Sequence, residues 1–260
     1  MYKLLYKIGS NVIAIGNFFK GHSLFCLQVS SKGIFSKYSY SPAVHMAVLK
    51  QIYFSGFELI VIMTITALLL GMTLVGTITK VLIALDAAPN IGPILTTVII
   101  RITGPLISGI LIILRTSTTL LVDVGMMKFN REIKALEAMN IDPYIYLYFP
   151  RVAASVVSMV VLSIYFSTLA IIGGYTLLSF QSNTSLDYVL SQIVSTISLS
   201  DIATFVFKTV LIGFIAASIP IYIAQKMQNS QTALIQGMMS AMIGIFFTFI
   251  IIIILGEIFI

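Results

Sequence analysis

The run LIVIMTITALLLGMTLVGTIT, residues 59–79, contains no charged side chain and is bounded by Glu58 and Lys80. As an α-helix rising about 1.5 Å per residue, it is long enough to cross the roughly 30 Å hydrocarbon layer of a bilayer. Four further stretches follow the same rule. Residues 152–180 and 233–256 are uncharged, and residues 202–225 hold one charge, Lys208. Residues 94–122 are equally apolar but carry Arg101 and Arg115. The sequence therefore predicts an all-α integral membrane protein with five transmembrane helices.

Composition demands the same solvent. Of the 260 residues, 58% are hydrophobic and 9% charged, with a mean hydropathy of +1.06. A soluble domain carries roughly 25% charged residues because its surface meets water. The net charge of +6 lies at the ends of apolar stretches, with no basic stripe interleaved with stacking aromatics. That pattern fits membrane orientation and lipid headgroups, and it excludes nucleic acid as a partner. A single cysteine, Cys26, excludes an internal disulfide and a multi-cysteine metal site. Residues 1–25 lack the continuous apolar core of a signal peptide, so none is expected.

Basic residues of short loops set orientation. Lys3, Lys7, Lys20, Lys32, Lys37 and Lys50 precede the first span. Lys128, Arg131, Lys134 and Arg151 follow the second, and Lys226 lies between the fourth and fifth. The opposite loops hold Asp86, Asp187 and Asp201, with Glu257 near the C-terminus and Lys80 as the one basic neighbour. The N-terminus is therefore expected in the cytoplasm and the C-terminus outside. Ahead of the spans, apolar residues at 1, 4, 5, 8, 12, 15 and 19 recur at helical spacing, describing a helix lying in the interface. Ser41-Pro42 then supplies an N-cap and first-turn proline for a short helix leading to the first span. Two regions result, an N-terminal interfacial amphipathic region (1–50) and a five-span domain (51–260).

No catalytic constellation assembles. His22 and His45 both lie outside the spans, so the membrane holds no histidine for acid–base or zinc chemistry. The nearest approach to a phosphate-binding loop, residues 16–23, lacks the phosphate-reaching lysine and follows no strand. No cofactor or metal is expected on this chain, and any ATP hydrolysis belongs to another subunit.

The second span is the anomaly. An arginine at a helix centre costs about 2.5–3.5 kcal/mol on insertion scales, against about 0.3–0.6 kcal/mol returned by each apolar residue. Arg115, close to the cytoplasmic border, has a snorkelling side chain or a structural charge as its alternatives. Arg101 precedes Gly104-Pro105, and a proline at 105 removes the hydrogen bond to the carbonyl at 101. The helix is expected to bend or break there, with Arg101 either lining a cavity or anchoring at the outer interface. After the span, residues 129–140 read as a short amphipathic helix, with Phe129, Ile133, Leu136 and Met139 on one side. Asn140 is placed to take the left-handed position past its end, and Asp142-Pro143 stops it. This helix is either an interfacial loop or a docking element for a cytoplasmic partner. Lys208 lies seven residues after Asp201, so the two can share a face. Lys208 is then a structural pair or a lipid contact.

The run Arg101-Ile-Thr-Gly-Pro105, then Arg115, Asp123-Val-Gly125, Met127-Lys128, the segment 135–143 (ALEAMNIDP) and Pro150-Arg151 resembles the MlaE/YrbE family. These are permease subunits of ABC systems that work with MCE-domain proteins. The family pattern is R-E-L-G-P, a later G-R-x-G, an acidic residue before x-G, a helix ending in x-D-P, and P-R. Gln51, Gly56, Gly71-Met72, Asp201 and Lys208 match in order, so the resemblance covers nearly the whole chain, with its specific block at 101–151. It departs at Ile102, where the family has glutamate, and at Ser117, where it has glycine. It departs again at Asn130-Arg131-Glu132, where the family has threonine, an acidic residue and glutamine, and in the polar loop before the last span.

The resemblance implies a lipid-transport permease of the bacterial cytoplasmic (inner) membrane, acting as a homodimer. Phospholipid or a related lipid would pass to a periplasmic MCE-domain protein, driven by a cytoplasmic ABC ATPase that holds ATP and Mg. Arg101, near the Gly104-Pro105 helix break, would meet a headgroup, with Leu74, Val81, Leu82 and Lys208 as further lipid contacts. Leu74, Val81 and Leu82 have ordinary helix packing as their alternative. Lys128, Arg131, Glu132, Glu137, Asp142 and Pro143 would couple to the ATPase, and Arg115, Asp123 and Asp201 would be structural charges. The competing readings are a self-sufficient secondary transporter, opposed by third and fifth spans without ionisable residues, and a non-transporting membrane scaffold.

Overall fold

The computed structural model describes residues 2–36, 41–87, 90–179, 191, 195–227 and 231–258. The elements are helices throughout: α1 (Tyr2–Phe35), α2 (Pro42–Ser55), α3 (Ile60–Ala84), α4 (Ile91–Phe129), α5 (Glu132–Ala138), α6 (Phe149–Ser179), α7 (Leu199–Lys226) and α8 (Gln231–Ile258). Five helical stretches are long and apolar enough to cross a bilayer: Pro42–Ala84, Ile91–Phe129, Tyr144–Thr176, Leu199–Lys226 and Gln236–Glu257. The five expected spans are all present. Most run beyond the apolar stretch that announces them, because polar residues continue the same helix outside the hydrocarbon. Lys37, Phe180 and Asp187 of the sequence reading lie outside the described residues.

The first and third spans form the most extensive helix pair. A Cβ on Gly71 would lie 2.1 Å from the carbonyl oxygen of Ala170, so the two backbones touch where any side chain would separate them. In lipid, where apolar surface gains little by leaving its solvent, such close approach supplies the packing attraction that joins helices. α7 runs through the middle, against α4, α6 and α8, and buries Ile212, Ala216, Ala217 and Ile221. α8 lies at the periphery and exposes Met239, Ile243, Phe247, Ile250 and Ile254.

α1 continues as one helix to Phe35, well past the stretch whose spacing announced it. It is not among the helices apolar enough to span. Phe25 and Val29 are buried, and the Phe25 ring meets those of Tyr144, Tyr148 and Tyr222. His22 Nε2 lies 3.1 Å from Ser218 Oγ, and burial holds the imidazole below its ordinary pKa. Phe19, Leu24, Leu27 and Ile34 are exposed along the same helix. Ser41 occupies the N-cap position of α2 but its hydroxyl makes no capping bond; Pro42 at the first turn is what opens the helix.

The second span does not break at Gly104-Pro105. Residues Thr96–Thr103 form a π turn and the α-helical ladder resumes at Gly104. Widening the ladder, rather than interrupting it, accommodates the proline's missing N–H. The Thr103 hydroxyl donates to the carbonyl of Val98 at 2.6 Å, satisfying one backbone acceptor within the widened turn. A second π turn spans Ile113–Ser117. Each arginine of the span therefore sits in a π turn. One inserted residue rotates the following helix by about 100°, which changes the face that meets a neighbour.

Candidate functional site

At one end of the bundle, α7 begins with Ser198 as its N-cap and Asp201 three residues on. The Ser198 hydroxyl accepts from the Asp201 N–H (3.3 Å), and Asp201 Oδ2 accepts from the Ser198 N–H (3.0 Å). This reciprocal capping, favoured by the positive end of the helix, holds the carboxylate fixed. Its other oxygen, Oδ1, lies 2.5 Å from Nη2 of Arg101 on the second span. Asp201 is 2% exposed and Arg101 24% exposed, so the pair has a sealed acidic side and an accessible cationic side. Arg101 Nε is buried without a hydrogen-bond partner among the described residues. Gly104, one turn away, leaves room for the Ser167 hydroxyl, which a Cβ there would approach to 2.3 Å.

Lys208 does not pair with Asp201, although the seven-residue spacing allows both on one face. It is fully buried and bonds Glu257 at the end of α8. Its aliphatic stem lies across Gly256, where a Cβ would meet Lys208 Cε at 2.1 Å. Of the three first-span residues, Leu82 belongs to the core, Leu74 is half-buried and Val81 is exposed. Exposed apolar surface is thus left at Val81 and in part at Leu74.

Arg115 meets Glu58 at the entry to the first span and donates to the Phe54 carbonyl at 3.3 Å. Asp123 is exposed. Lys128 ends the second span with its ammonium on the carbonyls of Gln225 and Met227. A cation on the last carbonyls of α7 satisfies acceptors that have no intrahelical donor. The following helix is shorter than residues 129–140: Arg131 takes a left-handed turn (φ 61°), and α5 runs only over Glu132–Ala138. Asn140 does adopt the left-handed conformation (φ 61°). Arg131, Glu132 and Glu137 are exposed, whereas Pro143 is buried. Asp142 accepts from the Tyr144 N–H (2.9 Å) and pairs with Lys32 of α1 (2.6 Å). Lys128, Glu137 and Pro143 line one cleft of about 360 Å³ between α5 and the ends of the second, third and fourth spans.

The carboxylates Glu58 and Glu257 and the cation Lys32 were absent from the sequence-derived candidates. Their signal was positional. Glu58 and Glu257 each border an uncharged run, at the same end of the bundle as the cation they meet. Among the described residues, no three His, Cys, Asp or Glu side chains gather where they could hold a metal ion.

Residues 48–259 match the family described as Permease MlaE. A probable ABC transporter permease protein of Rickettsia typhi is 23% identical over 219 residues, 81% of this chain and 84% of that protein. The intermembrane phospholipid transport system permease protein MlaE of Haemophilus influenzae is 33% identical over 125 residues, 48% of each chain. A probable ABC transporter permease protein of Pyropia yezoensis is 26% identical over 171 residues, 64% of this chain and 65% of that protein.

Proposed function

The chain belongs to the MlaE permease family, and from that membership we propose that it is the membrane-spanning subunit of an ATP-driven lipid transporter. It moves phospholipid or a related lipid between the cytoplasmic (inner) membrane and a periplasmic MCE-domain partner, and it works as a two-fold homodimer. The observation that carries the reading is a family match extending through all five spans. The named phospholipid transport of the Haemophilus influenzae relative supports the cargo class.

The charge pattern supports the orientation. Lys128, Arg131, Lys134 and Lys226 gather at the end that also holds α5, while Asp201 and Glu257 occupy the other. By the positive-inside rule α5 faces the cytoplasm. There Arg131, Glu132 and Glu137, all exposed, present charge to an ABC ATPase that binds ATP and Mg. Lys128 and Asp142 act behind them, tying α5's flanks to α7 and α1. On this reading the 1–50 region anchors in the interface and residues 51–260 form the permease domain.

At the outer end, Arg101 offers a guanidinium edge to a headgroup phosphate while Asp201 holds its other side. Arginine suits this task because its planar fork can serve two acceptors at once. Val81 and Leu74 contact acyl chains, and Leu82 and Lys208 act as packing and as the α7–α8 tie. Ile102 removes the acidic neighbour of the family pattern, which leaves Asp201 as the carboxylate orienting Arg101.

The test is purification of the full chain with its partners. An ABC ATPase is expected to co-purify, with hydrolysis stimulated by phospholipid, and Arg101→Ala should lower the phospholipid retained in native mass spectrometry. Ion flux through the isolated chain without any ATPase would overturn the assignment.

A further inference from the structure

The cleft beneath α5 has a chemistry that lipid packing does not explain. At about 360 Å³ it falls at the low end of small-molecule sites, which run roughly 300–1,000 Å³. Lys128, Lys134, Tyr144, Tyr148 and Gln225 face it, with Glu137 as the one carboxylate lining it among the described residues. Lys128 Nζ is held by two carbonyls, and an ammonium carries three donors. Lys134 is exposed.

One turn beyond Tyr148 lies Arg151. Its Nη2 rests on the sulfur of Met127 at 3.6 Å, and its Nη1 is buried with no acceptor among the described residues. A buried cation whose hydrogen bonds are incomplete is costly, and an anion completes it. Asp123, one turn before Met127 on the second span, is the carboxylate whose charge acts on Arg151, but it makes no hydrogen bond to that donor. Two cations, Lys128 and Lys134, therefore line the cleft against Glu137, while Arg151 behind Tyr148 is balanced by Asp123 and Asp142 is paired with Lys32. Phenol, amide and ammonium groups line one space, with the Tyr148 phenol beside the Gln225 amide. The cleft also lies where the second span ends and the third begins, which on the proposed orientation sets it beside the headgroups of the cytoplasmic leaflet.

We propose that this cleft binds a phosphate-bearing group, supplied either by the headgroup of an anionic phospholipid in the adjacent leaflet or by a soluble phosphate ester. Occupancy would brace α5 against the second, third and fourth spans. It sits 27 residues along the second-span helix from Arg101, about 40 Å at 1.5 Å per residue, so it is separate from the proposed cargo contact.

The full chain is reconstituted in phosphatidylcholine nanodiscs doped with phosphatidylglycerol, and bound lipid is read by native mass spectrometry. In parallel, inorganic phosphate is titrated while thermal unfolding is followed. Lys134→Glu, at an exposed position, keeps the fold, and Tyr148→Phe keeps the ring packing against Phe25. Preferential retention of phosphatidylglycerol that falls roughly tenfold in Lys134→Glu, the loss of one charge-assisted contact, supports a lipid source. A phosphate-dependent rise in unfolding temperature lost in Lys134→Glu supports a soluble source. Either result must survive Arg101→Ala, which separates this site from the cargo reading. Neither lipid preference nor phosphate protection in the unsubstituted chain, or equal values in Lys134→Glu, overturns it.

Discussion

Arg101 and Arg115 lie on one helix, each in a π turn, and each meets a carboxylate from another helix, yet their surroundings differ. Asp201 is 2% exposed and locked by its own helix cap, whereas Arg115 and Glu58 are 35% and 38% exposed. Charge in the same covalent form is thus used in two ways. The first pair is a fixed element whose removal leaves a sealed carboxylate uncompensated. The second is a border contact in which water and headgroups compete for both partners. Where an ion pair sits, more than its length, decides what it contributes.

The sharpest way to break this contrast is Arg101→Ala. It leaves Asp201 with its cap bonds alone and should cost about 1.5–3 kcal/mol of stability, the usual worth of a hydrogen bond between charged groups. Equilibrium unfolding in detergent micelles measures it. Replacing both members by apolar residues, Arg101→Met with Asp201→Leu, should restore most of that stability while still losing lipid retention. If the double variant is as unstable as the single one, the cap and not the pair is what matters.

Lys208 and Glu257 provide an intermediate case, with one partner 2% and the other 33% exposed. Glu257→Gln should cost about 1–3 kcal/mol, because Lys208 keeps its buried position with a weaker acceptor. Amide exchange at the end of α8 should rise with it. Arg115→Ala should cost roughly 0.2–1 kcal/mol, and that cost should shrink in high salt, as exposed pairs do. An Arg115 effect equal to that of Arg101 would erase the distinction between the two sites.

The smallest effect is expected where a charge must be created. Burial lowers the pKa of His22, so its neutral form is the one that docks α1 on Ser218. Above the ordinary imidazole value of about 6.5 both docked and undocked states are neutral and docking is unaffected. As pH falls from there toward the lowered docked value, only the undocked state takes the proton, and docking weakens. Hydrogen exchange near Phe25 and Val29 should accelerate over that window, and His22→Gln should flatten the dependence.

The spans were legible residue by residue because the bilayer imposes one length and one polarity on any helix that crosses it. Asn140 was legible for a similar reason, since few side chains tolerate a left-handed backbone. The pairings were not. Asp201 and Lys208 satisfy the rule for sharing a helix face, yet each found its partner on another helix. Spacing within one helix contains no information on which helices touch. The resemblance assigned Lys128 to coupling, and nothing in its neighbourhood in sequence announced that its ammonium closes the end of α7. The expected bend or break at Gly104-Pro105 rested on the missing N–H alone. A π turn, which widens the ladder by one residue, answered it without interrupting the helix.

Sequence by itself determined that this protein is an all-helical, five-span membrane protein of the MlaE type, because hydrophobic length and charge-free runs are properties of a single segment. Only the tertiary structure decided what each charge does. Hydrogen bonds and ion pairs depend on distances of about 3 Å between residues far apart in the chain. Those distances follow from π turns, glycine contacts and caps acting together, and no single segment contains them.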